Sequence, residues 1–187
     1  MAFALLLAAL LGGAAWTLAE YVLHRWAGHA ARGRIHFSRE HLRHHGTPGY
    51  FSPAWQKALS AAVFVPVAGA FGWLVSTLPL GIAFGAGFGA TYLLYEWVHW
   101  RIHVAPPRGA FSRWTRKHHL YHHFGDPEMN HGVMTGVWDR VFGTHVQVGQ
   151  VVVPRRRVLP WMLDEQGVLR PELAADYVIS DGRMARA

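Results

Sequence analysis

Histidine carries the chemistry in this sequence. Of 187 residues, 14 are histidine, where average usage would supply about four or five. Most fall in four clusters: His24-x4-His29, His41-x2-His44-His45, His99-x3-His103 and His119-x2-His122-His123. Neutral imidazole suits Zn, Cu, Fe and Ni, so the residue type points to a metal without choosing one. Residues three and four apart share a helix face. His41, His44 and His45 are therefore expected to point into one site together, and His119, His122 and His123 to repeat that geometry. His99 and His103 form an i,i+4 pair. His24 and His29 lie about 140° apart on an ideal helix, so they must straddle two ions or include a bend near Gly28. Ten imidazoles are too many for one ion and natural for two, at roughly four to six ligands each. A lone histidine is ordinarily a solvated or hydrogen-bonded interfacial residue, but two H-x-x-H-H repeats with two further pairs are not lone residues.

Other residues near the clusters have expected supporting roles. His118 adjoins the last cluster and makes its own i,i+4 pair with His122, which leaves the register there open. His131 is a candidate ligand, a group behind the ligands, or neutral, while His36 and His145 read as structural or solvated. Glu20, four before His24, and Glu96, three before His99, could each accept a hydrogen bond from a ligand's distal N–H and fix its tautomer. Asp139 and Arg140 read as a structural ion pair. The absence of cysteine excludes disulfides, zinc-thiolate sites, iron–sulfur clusters and covalent haem of the C-x-x-C-H type. No H-E-x-x-H, G-x-S-x-G or Walker A motif is present.

Membrane spans are the elements that must position these clusters. Hydrophobic residues make up 51% of the chain and charged residues 16%, against about 25% charged in an average soluble domain. Ala2 to Ala19 is uncharged and about long enough to cross a bilayer core. A cleaved signal peptide is the competing reading, but no basic segment precedes the apolar run. Ala58 to Tyr95 is also uncharged and suits two spans of about 20 residues each: roughly Ala58 to Val75 and Leu80 to His99. A proline-terminated turn is expected at Ser76-Thr77-Leu78-Pro79. Gly81, Gly85, Gly87 and Gly89 would give the third span a small-residue packing face. Three spans put every Lys and Arg on one side, which the positive-inside rule makes cytoplasmic. The net charge of +7 then sets membrane orientation and is not a nucleic-acid footprint. All the histidines fall on that side or at the span ends, so clusters distant in sequence can meet there.

These features predict an all-α integral-membrane helical bundle of about three to four transmembrane helices, with a cytoplasmic helical cap carrying the histidines. Residues 1–145 would form the membrane histidine-box domain, and 146–187 a peripheral tail with a β-like run over Val146 to Val153. In that tail Arg155-Arg156-Arg157 would meet anionic headgroups or stand solvated.

The cluster order, the spans and the segment Gly132-Val-Met-Thr-Gly-Val-Trp-Asp-Arg-Val-Phe-Gly-Thr144 together resemble the fatty acid hydroxylase / sterol desaturase superfamily. The opening Glu20-Tyr-Val-Leu-His-Arg is similar to the first box of its sphingolipid fatty acid 2-hydroxylase branch. The similarity covers roughly Glu20 to Thr144. It implies a dinuclear centre, taken to be two Fe ions in catalysis and able to hold Zn in a purified sample. That centre would reduce O2 with external electrons and hydroxylate a lipid acyl chain. Carried over by position, the ligands would be His24, His29, His41, His44, His45, His99, His103, His119, His122 and His123. Lipid would reach the site from the bilayer, and electrons would come from a separate donor protein. Carotenoid or sterol hydroxylases and desaturases of the same superfamily remain alternatives. A non-enzymatic histidine-rich metal-binding membrane protein is an alternative of another class, and it would need polar residues inside the spans.

Overall fold

Long uncharged stretches become the long helices. In the computed structural model, which describes residues 1–181, helix α1 covers Ala2–Val22 and continues into a π-helical segment, Leu23–Ala30. There follow α2 (His36–Gly46), α3 (Ala54–Leu74), α4 (Leu78–Val104), α5 (Gly109–Phe124) and the short α6 (Val137–Val141). Two strands, β1 (Val151–Pro154) and β2 (Tyr177–Ser180), pair in parallel with Val151 opposite Tyr177. Among the described residues three helices are long and apolar enough to cross a membrane: Ala2–Ala30, Ala54–Leu74 and Leu78–Val104. At most 22% of the residues in any of their most apolar stretches are buried, as expected of helices whose outer faces meet lipid. The spans run further than the sequence predicts, and the third carries His99 and His103 within its own helix. Pro79 does not end a helix. It lies in the first turn of α4, where its missing N–H costs nothing.

The chain divides into two compact units. The first comprises Met1–Val22 and Phe51–Trp97. Its core is Trp16, packed edge-on against Phe88 at 5.2 Å and Tyr92 at 4.8 Å between ring centroids. Close backbone approach is what the glycines provide. A Cβ on Gly87 would stand 1.9 Å from the Ala9 carbonyl oxygen, and one on Gly81 2.5 Å from the Trp73 nitrogen. The glycines of α4 thus serve α1 with one edge and α3 with another. Lys57 and Glu96 form an ion pair, and the Tyr92 hydroxyl donates to the Lys57 carbonyl at 3.0 Å.

The second unit comprises Leu23–Tyr50 and the described residues from Val98 onward. Every histidine of the chain belongs to it. The segment predicted to be a peripheral tail is folded into this unit and supplies core residues: Val151, Val153, Met162, Leu173 and Tyr177 are all buried. The strand begins at Val151, five residues later than the predicted β-like run. The basic triplet is divided. Arg155 pairs with Asp181, Arg156 is exposed, and Arg157 turns inward onto backbone carbonyls.

Candidate metal centre

Ten histidines converge in two groups of five. His24, His29, His41, His45 and His122 form one group, and His44, His99, His103, His119 and His123 the other. In each, the candidate ligand nitrogens lie within 4.8 Å of one another. The π-helix brings His24 and His29 together. Its i→i+5 hydrogen bonds add a residue to the turn, so positions five apart stack on one face, and both histidines enter the first group. Gly28 lies between them because the His41 ring packs there: a Cβ would meet His41 Cδ2 at 2.9 Å. The Gly28 carbonyl accepts from the Ser38 hydroxyl at 2.7 Å, which ties the π-segment to α2.

The H-x-x-H-H repeats do not each fill one site, contrary to the expectation from spacing. At 100° per residue, the third histidine stands 40° from the first and the middle one 60° to the other side. Helix α2 accordingly sends His41 and His45 to the first group and His44 to the second. Helix α5 sends His119 and His123 to the second and His122 to the first. The C-terminal turns of α4 add His99 and His103 to the second group. Arg116 of α5 holds those turns in place, donating to the carbonyls of Ala105 at 2.8 Å and Arg101 at 2.6 Å.

Within the groups, Nε2 atoms face one another at 2.8 Å (His29–His41), 3.0 Å (His29–His122) and 3.1 Å (His44–His99, His103–His119, His119–His123). Metal–nitrogen bonds of about 2.1 Å place adjacent ligands about 3.0 Å apart when they stand at right angles, so the spacing fits a cation between them. The outward nitrogens are engaged by backbone. His24 Nδ1 lies 2.5 Å from the His131 carbonyl, His122 Nδ1 2.7 Å from that of Met129, and His44 Nδ1 2.6 Å from that of Tyr50. Each contact places the proton on Nδ1 and turns the Nε2 lone pair inward. Burial, reinforced by neighbouring imidazoles, pushes His41, His45, His119, His122 and His123 well below the ordinary histidine range. They are neutral at pH 7, as ligands must be. His41 and His99 are the half-buried members of their groups.

The histidines outside the two groups lie behind or away from them. His118 is buried against Asp139, its Nε2 3.1 Å from Oδ2, and stacks on Trp114 at 4.9 Å. His131 is buried beside the first group, its ring centroid 5.2 Å from that of His122. The distal nitrogen of His24 faces the backbone carbonyl of His131, and Glu20 is buried. Glu96 is the ion-pair partner of Lys57. His36 is exposed and His145 half-buried.

Asp139 does not pair with Arg140, whose Nη1 instead donates to the Gly136 carbonyl at 3.2 Å. Its carboxylate accepts from the backbone N–H groups of His131 (2.8 Å) and Gly132 (3.0 Å), the Thr144 hydroxyl (2.8 Å) and His118. It thereby fixes the loop whose carbonyls orient His24 and His122. An acidic residue within eight positions of a histidine was the only local signal of this role.

A family model described as fatty acid hydroxylase matches residues 9–144. The chain is 34% identical over 142 residues to a ceramide very long chain fatty acid hydroxylase of Saccharomyces cerevisiae, covering 70% of this chain and 36% of that protein. It is 28% identical over 138 residues to a dihydroceramide fatty acyl 2-hydroxylase of Arabidopsis thaliana, covering 69% and 56%. Against the fatty acid 2-hydroxylase of Rattus norvegicus the identity is 32%, covering 72% and 38%. The match therefore spans little more than half of these relatives at most. Among solved structures, full-length Scs7p, of which only the hydroxylase domain is visible, superposes with a TM-score of 0.60 at 29% identity, covering 78% of this chain and 57% of that one.

Proposed function

Since this chain belongs to the fatty acid hydroxylase family, we propose that it inserts one oxygen atom from O2 into a C–H bond of a lipid acyl chain, using two metal ions held by its ten converged histidines. The observation that carries this reading is the pair of buried five-imidazole groups in a chain with three membrane-length apolar helices. Iron is the proposed working metal, because hydroxylation of an unactivated carbon needs a redox-active ion, which zinc is not. When bound, the metals would supply reductive activation of O2.

The protein's contribution is positioning and environment. His24, His29, His41, His45 and His122 would hold one ion, and His44, His99, His103, His119 and His123 the other. The carbonyls of His131, Met129 and Tyr50 keep three of those rings in the ligating tautomer. Burial keeps the imidazoles outside the spans neutral, so no proton competes with the metal near pH 7. The half-buried edges at His41 and His99 are the proposed approaches for substrate and O2. The positive-inside distribution of Lys and Arg supports a cytoplasmic site, supplied with electrons by a separate redox protein.

The test is to incubate membranes containing the chain with a reductase system and 18O2 and to analyse total acyl chains by mass spectrometry. One added 18O per product chain supports hydroxylation. Loss of two hydrogens without oxygen would reassign the reaction as desaturation. No O2-dependent product across several electron donors would leave a metal-binding protein that is not this enzyme.

A further inference from the structure

Helices α2 and α5 end in the same way. Each closes on an H-x-x-H-H repeat whose last histidine, His45 or His123, is the penultimate residue of its helix. The final carbonyls of a helix have no partner within it. Here a single guanidinium meets both: Arg157 Nη2 donates to the His45 carbonyl and, at 3.3 Å, to the His123 carbonyl. With one N–H for each oxygen, the group bridges the two helix ends. Its positive charge also suits the negative ends of two helix dipoles. The Phe124 ring lies 5.1 Å from the guanidinium carbon.

The two residues joined in this way belong to different groups, His45 to the first and His123 to the second. Their rings stack at 4.1 Å and 7°, the closest ring pair crossing from one group to the other among the described residues. Arg157 thus ties the backbones from which that crossing pair hangs. Four residues later, Trp161 Nε1 donates to the His103 carbonyl at 3.1 Å, holding a third residue of the groups from the same segment. Both side chains lie beyond residues 9–144, so the family match does not account for them.

We infer that Arg157 is a positioning residue that sets the separation and relative orientation of the two metal sites by clamping the ends of α2 and α5, with Trp161 steadying His103 beside it. The inference rests on the reading of the two groups as metal sites. Arg157 touches no imidazole nitrogen in this role. It acts through the backbone, so its loss should alter both sites together rather than empty one.

The experiment is a Co(II) titration of the metal-free, detergent-purified full chain, followed by visible absorption, with metal–metal scattering measured by X-ray absorption on the loaded protein. Wild type is compared with Arg157→Gln, Arg157→Lys, Trp161→Phe and the control Arg155→Ala, and far-UV circular dichroism monitors folding. Arg157→Gln is expected to bind both ions about 10-fold more weakly, the lower end of effects for residues supporting metal ligands. It should also lose the metal–metal signal while keeping wild-type helicity. Arg157→Lys, which keeps the charge and donors on one nitrogen but has a shorter reach, should fall between, Trp161→Phe should perturb one of the two absorption steps, and Arg155→Ala should match wild type. Wild-type affinity and metal–metal scattering in Arg157→Gln would overturn the inference. So would parallel loss of helicity in both Arg157 variants, because that would make the residue a fold contact only. A wild-type chain that takes up no Co(II) would remove the metal reading itself, and the inference with it.

Discussion

Replacing Asp139 by Asn tests whether the loop behind the first group is held electrostatically. The substitution keeps the shape of the side chain and exchanges one acceptor oxygen for an NH2 donor. Oδ1 accepts from the His131 N–H and the Thr144 hydroxyl, and Oδ2 from the Gly132 N–H and His118. Either orientation of the amide therefore sets a donor against a backbone N–H in a fully buried site. Losing one hydrogen bond to a charged group costs about 1.5–3 kcal/mol, and reducing the remaining bonds from charged to neutral strength costs about 0.5–1 kcal/mol each. The sum is about 3–6 kcal/mol. Because the same loop presents the carbonyls of His131 and Met129 to His24 and His122, the first site should weaken selectively, by about 10–100-fold in metal affinity. Denaturant unfolding in detergent measures the first quantity and metal titration the second. The reasoning is refuted if Asp139→Asn unfolds within about 1 kcal/mol of wild type, on the scale of an ordinary surface change, and binds both ions with wild-type affinity.

Three further outcomes follow from the packing and the charges. Gly87→Ala places a Cβ 1.9 Å from the Ala9 carbonyl oxygen and should force α1 and α4 apart. A destabilisation of about 1–3 kcal/mol or more is expected, read as a lower thermal midpoint in detergent. Gly28→Ala puts its Cβ 2.9 Å from His41 Cδ2, so it should displace His41 and lower metal occupancy at the first site with the spans intact, as elemental analysis and circular dichroism would show. The metal-free protein should lose stability as pH falls below about 6.5, where an unfolded imidazole takes up a proton and a buried one does not. For His131, which burial and then the neighbouring His29 push down to about 4, the loss between pH 6.5 and 4 is about 3 kcal/mol. Stability that stays flat across that window would contradict the assigned burial.

The spans were legible because uncharged runs of bilayer length leave a composition signal that needs no tertiary information. The convergence of the histidines followed from topology alone: two crossings, the second and third spans, return the chain to the side it left, so the segments before and after that pair share one side. The division of each H-x-x-H-H repeat between two groups was legible in principle, since 100° per residue already separates His44 from His45. What concealed it was the assumption that i,i+3 and i,i+4 neighbours share a single target. The π-helix at Leu23–Ala30 had no such signal, because an extra residue in a turn changes the register without changing the composition. The supports of the site were not legible either. His24 meets its carbonyl partner 107 residues along the chain, and Arg157 meets His45 across 112. Such contacts exist only once the loops have folded, and a carbonyl partner can come from any residue type.

The most direct test of the two-metal reading is the metal content of the full chain, purified gently in detergent from iron-supplied cells, beside a His44→Ala/His122→Ala variant that removes one middle histidine from each repeat. About two irons per chain in wild type, with loss from both sites in the variant, is the result expected for two sites holding one ion each. Wild-type protein that retains its helicity yet carries no stoichiometric metal, or a variant that keeps both ions, would contradict it.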